Sequence, residues 1–146
     1  MDPADPRVSV LLEQSDAYMN ALYPPHSNHL EGIAALPLAN VFFVGATMGS
    51  ILAGCGAVKT MDDDAVYGEI KRVFVAPDYR GAGLSVAIMQ VLEQHLTDHG
   101  VRFARLETGV LQPEALGLYR RLGYVERPPF GRYQPDPLSV FMEKRL

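Results

Sequence analysis

One continuous stretch, residues 69–85, places a β-strand pattern, a glycine-containing turn and the start of a helix directly after one another. Gly81 and Gly83 permit a tight turn and let a ligand come close to the backbone. The free N–H groups at the helix start, together with the Arg80 side chain, favour an anion at this point. The stretch therefore predicts a pyrophosphate-binding site.

Two common phosphate-binding motifs do not fit this stretch. A P-loop requires Lys followed by Ser or Thr after its last glycine, but Gly83 is followed by Leu84 and Ser85. A dinucleotide fingerprint requires a third glycine three residues after Gly83, and Val86 stands there. The remaining candidate is the hexapeptide RGAGLS, residues 80–85.

This hexapeptide resembles the acyl-CoA pyrophosphate loop of the GNAT superfamily of N-acyltransferases, whose pattern is Gln/Arg-x-x-Gly-x-Gly/Ala. Arg80 and Gly83 match the pattern, whereas Ser85 replaces the last Gly or Ala. The strand at 69–75 and the later segment LYRRLGY at 118–124 resemble the same family, at its usual separation. The resemblance implies that the loop binds the donor acetyl-CoA through Arg80, Gly81, Ala82, Gly83, Leu84 and Ser85.

The resemblance extends from residue 41 to the C-terminus and implies an α/β fold of layered α+β type. The resembling fold has a mixed, mainly antiparallel sheet, in which two central parallel strands splay apart to open a slot. The apolar periodicity predicts helices over 8–22, 30–36, 83–99 and 112–123, with little room for a strand before the first helix. It predicts strands over 41–47, 51–60, 65–76, 102–108, 124–126 and 138–144.

The length and composition indicate a single domain over residues 1–146. A net charge of -4 without a basic block argues against a nucleic-acid partner. No apolar run reaches the ~20 residues of a membrane span, and no signal pattern opens the chain. The single cysteine, Cys55, fits a buried thiol in a cytoplasmic protein, and no zinc or other metal site is recognisable. Both a monomer and a homodimer are compatible with the resemblance.

Two residues are candidates for proton transfer. Tyr119 is the candidate general acid, because a phenol with an ordinary pKa of about 10 can protonate a leaving thiolate. The family motif also places a tyrosine here, and the alternative is a tyrosine that only packs on the sheet. Glu69 is the candidate general base, acting through a water, and the alternative is a solvated acid paired with Lys71 or Arg72.

The resemblance implies further contacts with the donor. The backbone groups of the splayed strand at Val73, Phe74 and Val75 would hold the pantetheine arm, whereas their side chains can equally serve the core. Gln112 stands where the family often has an asparagine that touches coenzyme A.

The region between the first two predicted helices lines the acceptor side in the resembling family. Its candidate substrate residues are Tyr23, His26, Asn28 and His29, and the alternative is a plain connector between helices. A proline-rich segment at 128–137 adds Tyr133 and Asp136, of which Asp136 suits a cationic amine. The acidic net charge favours the same kind of acceptor.

Three functions are compatible with these residues. The first is a cytoplasmic N-acetyltransferase that transfers an acetyl group to a small-molecule or peptide amine through a ternary complex. The second is a non-catalytic acyl-CoA sensor, which would bind the donor without turnover. The third is a generic nucleotide-binding domain, which would prefer ATP or NAD to acetyl-CoA.

Overall fold

The computed structural model describes residues 1–27 and 32–146. Its helices are α1 (Pro6–Leu22), α2 (Leu84–Asp98) and α3 (Pro113–Arg121). Its strands are β1 (Val41–Met48), β2 (Ile51–Asp62), β3 (Val66–Val75), β4 (Phe103–Gly109), β5 (Val125–Arg127) and β6 (Ser139–Arg145). Single 3-10 turns occupy Pro25–Ser27, Ile33–Ala35 and Pro77–Tyr79. Apart from one short helix, each predicted element is present with its ends shifted by a few residues.

The exception is the helix predicted over residues 30–36. In the described part of that range the chain forms one 3-10 turn, Ile33–Ala35, and residues 30 and 31 lie outside the described residues. Gly32 and Pro37 bracket too few residues to nucleate an α-helix. Among the described residues no strand precedes α1, in agreement with the little room that the sequence leaves for one.

Within the described residues, six strands form one sheet in the order β1-β2-β3-β4-β6-β5. Only the β3–β4 pair is parallel, and the other pairs are antiparallel. Alternating positions of β2 show that helices cover both faces: Cys55 packs with Leu11 of α1, whereas a Cβ at Gly56 would touch Ile88 of α2. The predicted layered α/β fold with a mixed, mainly antiparallel sheet is confirmed.

The parallel strands β3 and β4 separate soon after they meet. Their pairing covers only Gly68–Ile70 of β3 and Ala104–Leu106 of β4. The second half of β3 therefore keeps its ladder with β2 but leaves its other edge without a strand neighbour in the described structure. This gap is the predicted slot.

A β-bulge explains where the strands part. Arg72 and Val73 of β3 both face Gly56 of β2, since the pairing shifts between Cys55 and Ala57. Arg72 adopts a left-handed conformation with φ +60°, and its buried guanidinium binds Asp16 of α1 at 2.6 Å. A bulge increases the local twist of its strand, so it turns the end of β3 away from β4.

Cys55 lies in the core between α1 and the sheet. Its side chain is fully buried, and burial raises the pKa of its thiol to about 12. Since a thiol is nucleophilic only as the thiolate, Cys55 is an inert core residue.

Candidate active site

A cleft of about 520 Å³ lies where the second half of β3 meets the start of α2 and the inner face of α3. Most of the residues predicted to bind the donor line it: Val73, Phe74, Val75, Arg80, Gly81, Gly83, Leu84, Ser85 and Gln112. Ala82 belongs to the same turn but does not line the cleft. We call this cavity the donor cleft.

The glycine turn gives the donor cleft an anion-binding end. Gly81 and Gly83 have φ values of +83° and +78°, in the left-handed region that glycine adopts without strain. Among the described residues no side chain caps the start of α2, and the first intrahelical bond is donated by Ala87 to Gly83. The N–H groups of residues 84–86 therefore stay available for an anion.

Two arginines add positive charge to the donor cleft. The Nε atom of Arg80 donates to the Val75 carbonyl at 3.0 Å, and its guanidinium lies over the rings of Tyr18 and Phe74. Arg121 of α3 lines the opposite wall. Arg121 is not among the residues predicted from the sequence, although its spacing of three from Leu118 places both on one face of α3.

A narrow cavity of about 90 Å³ occupies the gap between β3 and β4. It shares Val73, Gln112 and Tyr119 with the donor cleft. It shares Lys71 and Tyr133 with a larger cavity on the other side. We call it the slot, and its position makes it the connection between two clefts.

Tyr119 reaches the slot from α3. Its side chain is buried, and its hydroxyl makes no hydrogen bond with any described residue. Burial, with a contribution from the nearby Glu107 carboxylate, raises the pKa of Tyr119 to about 12. The phenol therefore keeps its proton at neutral pH and can donate it within the slot.

Glu107 is the slot residue that sequence analysis missed. It projects from β4 and forms no ion pair within the described residues. Burial raises the pKa of its carboxyl to about 7, and the carboxylates of Glu69 and Asp136 add to this rise, while Ser139 and Lys71 oppose it. A carboxyl group with this pKa exchanges protons readily near neutral pH. Its strand sequence gave no signal, because each of these neighbours comes from a distant part of the chain.

The cavity on the far side of the slot has a volume of about 690 Å³ and is called the acceptor cleft here. Its lining includes the predicted residues Glu69, His26 and Tyr133, and also Asp136. Glu69 is buried instead of solvated, and it accepts hydrogen bonds from Tyr133 at 2.5 Å and Lys71 at 3.2 Å. Its pairing with Lys71 agrees with the alternative considered from the sequence, and its role as a base stays a prediction.

The remaining predicted acceptor residues are placed differently. Asn28 and His29 lie outside the described residues. Tyr23 is buried and lines none of the three cavities described above. Its hydroxyl donates to Gln112 Oε1 at 3.2 Å and accepts from the Leu111 N–H at 3.1 Å. Tyr23 thus positions Gln112 between the donor cleft and the slot, which favours a supporting role over substrate contact.

The contact of Tyr23 with Gly109 yields a stability prediction. A Cβ added at Gly109 would lie 1.7 Å from the Tyr23 hydroxyl oxygen, so Gly109→Ala must displace this buried ring. We expect a loss of about 1–3 kcal/mol in the free energy of unfolding, measured by urea denaturation. Gly117→Ala in α3 is the matched control, since its nearest neighbour is 3.4 Å away and alanine favours a helix. Equal stabilities of the two variants would contradict the packing described.

Two further findings concern the described part of the chain. None of its helices is long and apolar enough to span a membrane. No group of three or more His, Cys, Asp or Glu side chains within it is arranged to hold a metal ion.

Comparison with known proteins identifies the family. Residues 10–124 match the acetyltransferase (GNAT) family. The IAA acetyltransferase of Azospirillum brasilense is 40% identical over 144 residues, which cover 99% of this chain and 94% of the relative. The YsnE protein of Bacillus subtilis, an N-acetyltransferase whose substrate its name does not state, is 34% identical over 88% of this chain and 85% of its own.

Solved structures show the same likeness. A crystal structure of a Klebsiella pneumoniae protein assigned as an acyl-CoA N-acyltransferase has a TM-score of 0.81 and 34% identity, covering 100% of this chain and 94% of that one. The PaiA N-acetyltransferase of Thermoplasma acidophilum, crystallised with coenzyme A, has a TM-score of 0.77 at 15% identity and shows the shared fold alone, over 100% and 96% of the two chains. The chain therefore belongs to the acetyltransferase (GNAT) family and is an acyl-CoA-dependent acetyltransferase.

Proposed function

We propose that this protein transfers the acetyl group of acetyl-CoA to the primary amine of a small molecule, by direct attack in a ternary complex. One observation carries the proposal: the slot shares lining residues with both the donor cleft and the acceptor cleft. Two substrates that enter from opposite sides would meet at Tyr119 and Glu107. The name of the IAA acetyltransferase relative also supports acetylation of a small molecule.

The donor cleft fits acetyl-CoA at both ends. The uncapped start of α2, with Arg80 and Arg121, offers N–H groups and positive charge to the pyrophosphate. The edge of β3 at Val73–Val75, which has no strand neighbour among the described residues, offers backbone groups to the amide-containing pantetheine arm. When bound, acetyl-CoA supplies a thioester whose acyl carbon an amine can attack.

Glu107 is the base in this proposal. An amine attacks only after it loses a proton, and Glu107 lines the slot with a pKa of about 7. Glu69 is held by Tyr133 and Lys71 in the acceptor cleft, where its charge helps to raise the pKa of Glu107. Direct proton uptake by Glu69 remains the alternative. Comparison of the Glu107→Gln and Glu69→Gln variants distinguishes which carboxylate is the base.

Tyr119 is the acid that protonates the leaving thiolate. The negative charge of Glu107 contributes to the raised pKa of Tyr119. Once Glu107 has taken the amine's proton, that charge is gone and the phenol becomes a stronger acid. The two proton transfers are therefore coupled in the order that the reaction needs.

Arg80 has a predicted role in affinity. Arg80→Gln removes a cation from the donor cleft but leaves Tyr119 and Glu107 in place. We expect the KM for acetyl-CoA to rise about tenfold with little change in kcat, since charge-assisted hydrogen bonds are worth on the order of 1.5–3 kcal/mol. Arg145→Gln, at an exposed position of β6, is the control and should leave both constants unchanged. An unchanged KM in Arg80→Gln would contradict the role of the Arg80 charge in donor affinity.

Thermal unfolding tests the donor. Acetyl-CoA at ~100 times its dissociation constant should add roughly 2.7 kcal/mol to native stability, and ATP and NAD at equal concentration should add little. Release of free thiol in the presence of amines then separates the enzyme from a sensor that binds without turnover. A larger shift with ATP or NAD than with acetyl-CoA would contradict the proposal.

A further inference from the structure

The described lining of the acceptor cleft has more positive than negative side chains, although the whole protein is acidic. Among its described lining residues, the cations are Lys59, Lys71 and Arg132, and the carboxylates are Glu69 and Asp136. The Nζ atom of Lys71 lies 3.2 Å from a carboxylate oxygen of Glu69, so the charges of this ion pair offset each other. The formal charge of these described lining residues is thus opposite in sign to the net charge of -4.

Both carboxylates are already engaged by the protein. Glu69 accepts hydrogen bonds from Tyr133 and Lys71. Asp136 accepts from the Ser27 hydroxyl at 2.6 Å and from the Leu138 N–H at 2.8 Å, so it fixes its own loop. A second cationic group on an acceptor would therefore have to compete with these bonds, which argues against the cationic acceptor expected from Asp136 and the net charge.

Arg132 lies at the acceptor cleft in a turn whose backbone is held in place. It lies in a turn closed by the bond from the Tyr133 N–H to the Phe130 carbonyl at 3.1 Å. The ring of Phe130 is buried against Tyr67 and Phe141, which anchors the turn. The Arg132 side chain is exposed at the cleft and forms no ion pair within the described residues.

We propose that the acceptor is an amine that also carries a carboxylate, such as a free amino acid, and that Arg132 binds this carboxylate. A guanidinium matches a carboxylate with two parallel N–H donors. Lys59, which faces Glu69 across the β2–β3 ladder, adds positive charge to the same cleft. The amine then points to Glu107 in the slot, and Met61 and Tyr67 give the rest of the acceptor an apolar wall. This inference rests on the proposed function.

The test compares amino acids with their own uncharged relatives. Each amino acid of a broad panel is assayed beside its carboxamide and its decarboxylated amine, by release of free thiol from acetyl-CoA. We expect the carboxylate forms to have the highest kcat/KM. Arg132→Gln should lower kcat/KM about tenfold for the preferred amino acid and leave its amide within about twofold. Arg132→Lys should recover part of the loss, and Arg102→Gln, at an exposed position after α2, is the matched control.

The ratio between variants removes the different intrinsic reactivities of the amines, since these are the same for every variant. Preference for amides or decarboxylated amines, or an equal effect of Arg132→Gln on acid and amide, would overturn this inference and leave the acetyltransferase proposal intact. No thiol release with any amine, together with no thermal shift by acetyl-CoA, would instead overturn the proposed function and this inference with it.

Discussion

Tyr119→Phe is expected to lower kcat by at least about 100-fold, because it removes the proton that the leaving thiolate requires. The variant keeps the ring that packs edge-on against Tyr124 at 5.9 Å, so the structure around it should persist. The hydroxyl makes no hydrogen bond with the described residues, so its loss leaves no partner unsatisfied among them. Thermal shifts by acetyl-CoA should therefore match those of the wild type.

The matched control for this variant is Tyr124→Phe. Tyr124 is buried in the same cluster, but its hydroxyl donates to Glu93 at 2.8 Å and does not line the slot. We expect this control to lose some stability and little activity. Equal rates in Tyr119→Phe and wild type, with acetyl-CoA saturating, would show that another group protonates the thiolate.

Glu107→Gln is expected to lower kcat/KM by about 100- to 10,000-fold at pH 8, because the amide cannot accept the amine's proton. In the wild type, activity should rise with pH through the pKa of Glu107, about 7, since only the carboxylate is a base. This limb of the profile should vanish in the variant and leave only the titration of the acceptor amine. Rate profiles from pH 5.5 to pH 9 would measure the difference.

The stability of Glu107→Gln distinguishes a loss of catalysis from a loss of folding. A carboxyl whose pKa is raised in the folded state loses stability as the pH rises above its ordinary value, so the wild type carries a penalty at pH 8. Glu107→Gln removes that penalty and should be at least as stable as the wild type. Glu69→Gln should shift the rising limb of the pH–rate profile to lower pH, because Glu69 contributes to the raised pKa of Glu107. If instead Glu69→Gln abolishes the limb and Glu107→Gln does not, Glu69 is the base.

The geometry of the glycine turn and its flanking elements could be predicted because its signals are local. The strand, the turn at Gly81 and Gly83, and the start of α2 are consecutive in the sequence, so their geometry follows from the backbone preferences of a few neighbours. The order of the helices and strands follows from apolar periodicity for the same reason.

The acceptor side could not be predicted to the same depth, because it depends on contacts between distant segments. The pKa of Glu107 is set by burial and by Glu69 and Asp136, which come from another strand and from a loop. The place of Tyr23 between the first two predicted helices predicts contact with a substrate, whereas its side chain is buried against Gly109. The charge of the described lining of the acceptor cleft likewise depends on which side chains the fold brings together, and it cannot be derived from the net charge of -4.

The central claim is that donor and acceptor occupy their clefts together and that the acetyl group passes between them within the slot. Initial rates measured over a grid of acetyl-CoA and acceptor concentrations test it most directly. Direct transfer in a ternary complex predicts double-reciprocal lines that intersect. Parallel lines, together with an acetylated form of the protein in mass spectra after incubation with acetyl-CoA alone, would show a covalent intermediate and contradict the account.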